Sequence, residues 1–562
     1  MRRQTNSAFH VPRLHTTVRP VLLAAAVFLA TALLSTTNAA ARMMYGRIHE
    51  DGRAVAARLY IQSSDGKTWY HATSSTETGE SAVTYRKKRG ERSTEIHTSL
   101  PAGNFQVDLP PGEYTFTVER GKEYRPVSKK VIVPDGDADT ALIEIRLKRW
   151  IHMAELGWYS GDTHVHRSLQ DVRVAMLAED LNLAFPLTYW VTAAHESPTS
   201  GAKSTDAPPG NRPDEIAPGY IVYPLNTEYE LFTYGGKRHT LGAVFVLGHQ
   251  TPLEIPAPRV TPIANEARKQ KALLDLDKHT WAWSAMIVPI MKVDLFELAN
   301  NHIWRTEFAF HDWTINTLPT DWGIETDENG GWTEHGWIDF GFKTYYAFLN
   351  CGFDIKPTGG TATGVHPVPL GFGRVYVEVE GKLTYDKWFE GLGNGNSFVT
   401  TGPMLMMKFG GRPAGTKFPL KQSNNPNKCH VTGVAVSETP LSRIEILVNG
   451  DVVKTIKPGK SPTDRDHYRV TIDEVVSFDD SAWVAVRCFQ PRDDGRYFYA
   501  HTGPVHYQTA GAPLRPKVRE VRYLLNRVQE EITRNTGVLT NQELEEFKQA
   551  ELIYKKLLER AR

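Results

Sequence analysis

Two histidines one residue apart, His164 and His166, close the run Gly161-Asp162-Thr163-His164-Val165-His166, and a helix-like segment from Asp171 to Leu183 follows at once. Side chains alternate faces along a strand, so Asp162, His164 and His166 should point the same way. Two imidazoles at that spacing can grip one metal ion, at about 2.0–2.1 Å for zinc. A carboxylate two residues upstream can hold one ring by its other nitrogen. A second source of ligands lies further on, where Gly235-Gly236 separates YIVYPLNTEYELFTY from KRHTLGAVFVLGH. That dipeptide is a two-residue hairpin signal. Centred there, the turn opposes Phe232 to His239 and lays Glu228, Glu230 and His239 on one face. Alternation does not choose between the two glutamates. Asp294 and Glu297 flank a buried-looking strand, with Asn300, Asn301 and His302 near its C-terminal end, and these are pocket candidates. Arg374 opens a strand after a glycine-rich stretch, where it can hold an anionic group.

These residues need a scaffold. Residues 43–149 read as a small β-sandwich, with strands near 55–62 and 141–147 and turns at Pro110-Pro111-Gly112 and Asp135-Gly136-Asp137. Residues 150–377 carry all the candidate chemistry. Residues 378–510 read as a second sandwich, with strands over 430–436, 443–448 and 482–488. Apolar residues at helical spacing predict two helices in 511–562, Gly537 ending the first and Thr540 with Glu543 forming a capping box for the second. That helical hairpin is expected to pack on the body. The fold class is thus α/β plus β.

Composition narrows the function. The chain has 562 residues, 41% hydrophobic and 23% charged, with net charge +1. Its length implies several domains, and its balance gives no basic field for nucleic acid. Arg2, Arg3, Arg13 and Arg19 precede an apolar run from Val21 to Leu34, then Ala39-Ala40-Ala41. This is the pattern of a signal peptide, 1–41, removed on export to the periplasm or beyond, with no stable membrane span left afterwards. Three cysteines are too few for a disulfide framework, though Cys429 and Cys488, both on predicted strands, allow one bridge.

The GDTHVH run followed by a helix resembles the first motif of the PHP (polymerase and histidinol phosphatase) superfamily, most of all its carbaryl-hydrolase-like (CehA/McbA) branch. The Glu-then-His order of the hairpin is similar too. FQVDLPPGEYTFTVERG resembles the carboxypeptidase-regulatory-like sandwich, and YDKWFEGLGNGNSFVTTGP the branch's junction into a second sandwich. The resemblance implies a distorted β/α barrel with a metal centre at its strand ends, and hence a hydrolase. Three motifs depart from it. Tyr189-Trp190 replaces an Asp-His pair, Val288-Pro289 a His-Pro pair, and Ala362 the aspartate of Gly-Thr-Asp. His195 and His366 lie near two of these gaps as possible replacement ligands. The retained set, His164, His166, Glu228 or Glu230, and His239, implies one zinc or manganese ion rather than two or three, with Asp162, His302 and Arg374 assisting catalysis. The expected function is an exported ester or phosphoester hydrolase. Its rival is a non-catalytic exported module, binding glycans or another surface polymer on a degenerate barrel.

Overall fold

Trp158–Val165, the strand that carries His164, lies parallel to Leu183–Pro186 on one side and antiparallel to Arg374–Glu378 on the other. It belongs to a computed structural model that describes residues 41–562 apart from 76–80, 90–92, 136–141, 202–209, 282, 311–317, 423–424, 460–461 and 463–465. The signal-peptide pattern falls outside the described residues.

The sheet of the histidine strand continues through Ser397–Thr400, Tyr497–Thr502 and Ala482–Pro491, so it crosses residue 378 without a break. A second sheet runs Tyr189–Ala193, Thr227–Tyr234, Ala243–Leu247, Leu273–Leu276, Leu295–Ala299 and Lys356–Gly359. Its strand Ala243–Leu247 is an unbroken apolar run because both faces are buried. The strands expected to make one barrel are therefore divided between two sheets. Side chains join them, Thr163 Oγ1 meeting Thr358 Oγ1 at 3.0 Å and donating to Asp275 Oδ2 at 3.2 Å.

Residues 42–146 form two further sheets around their own apolar core, with Tyr114, Phe116 and Val118 inward at alternate positions of Gly112–Glu119. Charged groups fasten these sheets to the rest. Glu119 accepts from Arg58 and, at 2.9 Å, from Arg305 Nε, while Arg58 also reaches Glu179.

Helices Val518–Asn535 and Asn541–Glu559 pack on the body through Leu524, Val528, Phe547 and Tyr554, and the Thr540–Glu543 capping box is present. Glu546 caps another helix, Val260–Lys269, whose own first turn has no side-chain cap. Its carboxylate accepts from Val260 N at 2.8 Å and Thr261 N at 2.9 Å. Among the described residues no helix is long and apolar enough to cross a membrane. Cys429 and Cys488 form no bridge. Both thiols are buried, in strands of different sheets.

Candidate metal centre

The histidine strand ends in a shift of register between Asp162 and Val165 relative to its parallel neighbour. Beyond that shift His164 Nε2 and His166 Nε2 stand 3.0 Å apart, and His166 Nε2 lies 3.4 Å from Glu228 Oε2. Donors about 2.0–2.1 Å from a common tetrahedral ion are separated by roughly 3.3 Å. The three atoms therefore have the spacing of ligands to one ion, and their residues are all buried. Glu228, opposite Phe245 in the sheet, is the glutamate that meets the rings. Glu230 lies 4.0 Å from Lys278 Nζ.

His164 faces a second group with its other nitrogen. Nδ1 is 2.8 Å from Glu297 Oε2 and 3.9 Å from Asp277 Oδ2. Glu297 also accepts from Asn301 N at 2.7 Å, which fixes the carboxylate against the ring. A carboxylate on Nδ1–H leaves Nε2 with the lone pair, the arrangement that orients histidine ligands. Burial drives the Glu297 and Asp275 carboxyls well above the usual carboxylate range, and the charge of Asp277 adds to both. Acids buried together in this way are relieved by taking up protons or by a bound positive charge. The donor set fits a divalent cation.

Above these residues is a cavity of about 390 Å³. Trp190, Phe232 and Trp281 give it apolar walls, and Lys278, Arg238 and Arg89 give it cations. Burial lowers the Lys278 pKa, but Asp277, Glu230 and Glu228 outweigh that effect and raise it, keeping the ammonium charged. Arg89 comes from strand Val83–Arg89 of the N-terminal sheets. Its Nη1 is 2.5 Å from His366 Nδ1, while the neighbouring Tyr85 hydroxyl donates to the His366 carbonyl at 2.6 Å. His302 lines the same cavity. Its Nδ1 donates to Asn300 Oδ1 at 2.6 Å, which leaves Nε2 as the acceptor, and burial, followed by His366, lowers its pKa well below the ordinary histidine value.

No family profile matches the chain. No curated protein matches it either. Among solved structures it is similar to a two-domain protein from Bacteroides vulgatus, described as containing a predicted PHP-like metal-dependent phosphoesterase. The two share 10% identity over 59% of this chain and 90% of that one, with a TM-score of 0.29.

Several expectations need correction. Asp162 holds backbone, not an imidazole: its carboxylate accepts from His164 N at 3.0 Å, Thr361 N at 3.2 Å and Gly371 N at 2.9 Å. Glu297 takes the ring instead. Arg374 binds no open anion site, because its Nε donates to Gly371 O at 2.6 Å and its Nη2 to Glu179 O at 3.3 Å. His239 does face Phe232, its N donating to Phe232 O at 2.9 Å, yet its Nε2 meets Asn535 Oδ1 at 2.6 Å. Sharing a face was not enough. Level with Phe232, His239 lies four residues, about 13 Å, along the strand from Glu228. His195 is held by Glu543 at 2.7 Å, away from the cavity. Asp294 has the opposite parity to Glu297 and turns to Arg268 and Leu274 N.

Sequence reasoning missed Asp277, Lys278 and Arg89. A signal existed for the first: Leu274-Asp275-Leu276-Asp277 alternates acid and apolar residues at a strand end, as Asp162-x-His164 does. Nothing local marks Arg89, which reaches the cavity from a separate sheet.

Proposed function

We propose that the chain is an exported, metal-dependent hydrolase of anionic esters, phosphoesters foremost, of the PHP superfamily and its carbaryl-hydrolase-like branch. The observation that carries this reading is the convergence of His164 Nε2, His166 Nε2 and Glu228 Oε2. A divalent ion held there supplies a Lewis acid and lowers the pKa of a bound water toward about 7. Glu297 keeps the His164 ring in the ligating tautomer. Arg238 and Arg89 draw a negatively charged substrate into the cavity and orient it. His302, neutral with its Nε2 lone pair free of hydrogen, lines the same cavity and would accept a hydrogen bond from a water or substrate hydroxyl placed there. Export rests on the N-terminal arginines and apolar run. A polymer-binding module would need none of the buried histidine and carboxylate groups.

Metal analysis of the purified full chain tests the reading. His164→Ala, His166→Ala and Glu228→Gln should each abolish tight zinc or manganese binding. Glu297→Gln should weaken it about 10- to 100-fold, the usual cost of a lost outer partner. Phosphoester turnover should fall with metal content, and His302→Ala should lower turnover while the ion stays. A wild-type protein that takes up neither metal sinks the proposal.

A further inference from the structure

The two donor groups share one residue. His164 belongs with His166 and Glu228 through Nε2, and with Asp277 and Glu297 through Nδ1. A neutral imidazole has a single lone pair, so it can serve one group as a ligand and the other only as a hydrogen-bond donor. Filling the first group leaves Asp277 and Glu297 to form the second. Oδ2 of Asp277, the oxygen turned toward His164, is also the one that the Lys278 ammonium touches, and Asn301 Nδ2 lies 3.5 Å from it.

This contact is built by the backbone. Adjacent residues on a strand point to opposite faces. Strand Leu273–Leu276 has ended here, however, and His279 N bonds Asp277 O at 2.9 Å, curling the chain so that Asp277 and Lys278 meet. The lysine side chain is only 9% exposed and its amine is 4.0 Å from Glu230. A buried ammonium is costly unless carboxylates surround it, as they do here.

We propose that Lys278 is a resident cation, its ammonium held on the Asp277 oxygen that a second metal ion would need alongside Glu297, so that the centre takes one exchangeable ion. The proposal rests on the metal site described above and adds that the second position is closed from within. A chelator can strip one charge from the floor of the cavity and not the other.

The test is metal stoichiometry. Full-length protein is freed of metal, titrated with zinc or manganese, desalted and measured by elemental analysis. Wild type and Lys278→Arg should saturate at one ion per chain, and Lys278→Met at two. Adding Asp277→Asn to Lys278→Met should return the count to one. Lys278→Met leaves Asp277 buried without its cation and can fail to fold, so circular dichroism is recorded for each variant. Asp277→Asn alone provides the second measure: it should keep the single ion with affinity within a few-fold of wild type. Two ions in wild type, one ion in folded Lys278→Met, or loss of the ion in Asp277→Asn would each overturn the proposal. No ion in any variant would overturn the metal site with it, whereas one ion in both wild type and folded Lys278→Met overturns the resident cation alone.

Discussion

Between His164 and Glu297 there is room for hydrogen and nothing larger. A Cβ on Gly360 would lie 2.3 Å from the His164 Cβ and 2.8 Å from Glu297 Oε2, so this glycine is required by close approach. Gly360→Ala should push apart the ring and its carboxylate, lower metal affinity at least as much as Glu297→Gln, and cost about 1–3 kcal/mol of stability. Calorimetric metal titration and a thermal melt check both effects; unchanged affinity would mean that the ring does not depend on Glu297. The paired histidines were legible because they sit two residues apart at the end of one strand. Glu228 was legible only as one of two, since parity is the same for Glu230. Asp277, Lys278 and Glu297 were not assembled in advance, because no local rule places residues from two neighbouring strands of one sheet against a ring from another.

At the level of elements, face and reach proved separable. The Gly235-Gly236 turn, both residues at positive φ, set the pairing of Phe232 with His239 as alternation requires. The hairpin arm nonetheless delivers His239 to Asn535, so His239→Ala should leave metal content untouched. The helical pair matters in another way. Glu546 satisfies two amide donors at the start of Val260–Lys269, work usually done by a residue of the helix itself. Glu546→Ala should cost about 0.5–2 kcal/mol in a denaturant melt, as loss of a cap does, with stoichiometry unchanged. No loss of stability would show the contact to be idle. The capping box at Thr540 was readable because its signals are three residues apart, whereas a cap from 286 residues away leaves no trace in the sequence.

Across the whole molecule, ion pairs join the N-terminal sheets to the part of the chain that carries the candidate metal centre. Burial would raise the pKa of Glu119, but Arg305 and Arg58 outweigh it and hold the carboxyl far below its ordinary 4.5. A depressed acid adds stability that is complete above the unfolded-state pKa and lost as pH falls below it toward the folded one. The melting temperature should therefore change little between pH 7 and pH 5 on account of this group and fall below about 4.5. Glu119→Gln should be less stable than wild type at pH 7 and show a shallower acid decline. Equal slopes for the two proteins would remove Glu119 as the cause. The strand-rich character of this N-terminal region was legible from its alternation and turns, but its part in the cavity was not, since Arg89 lies on a strand that reads as ordinary surface. One contact also bears on when the centre can form. Helix Val260–Lys269 leads into the strand that delivers Asp277 and Lys278, and the carboxylate that seals its first turn belongs to residue 546. In a chain exported unfolded with its N-terminus leading, that seal closes only near the end of translocation, and the ion would then be drawn from the receiving compartment instead of travelling with the protein.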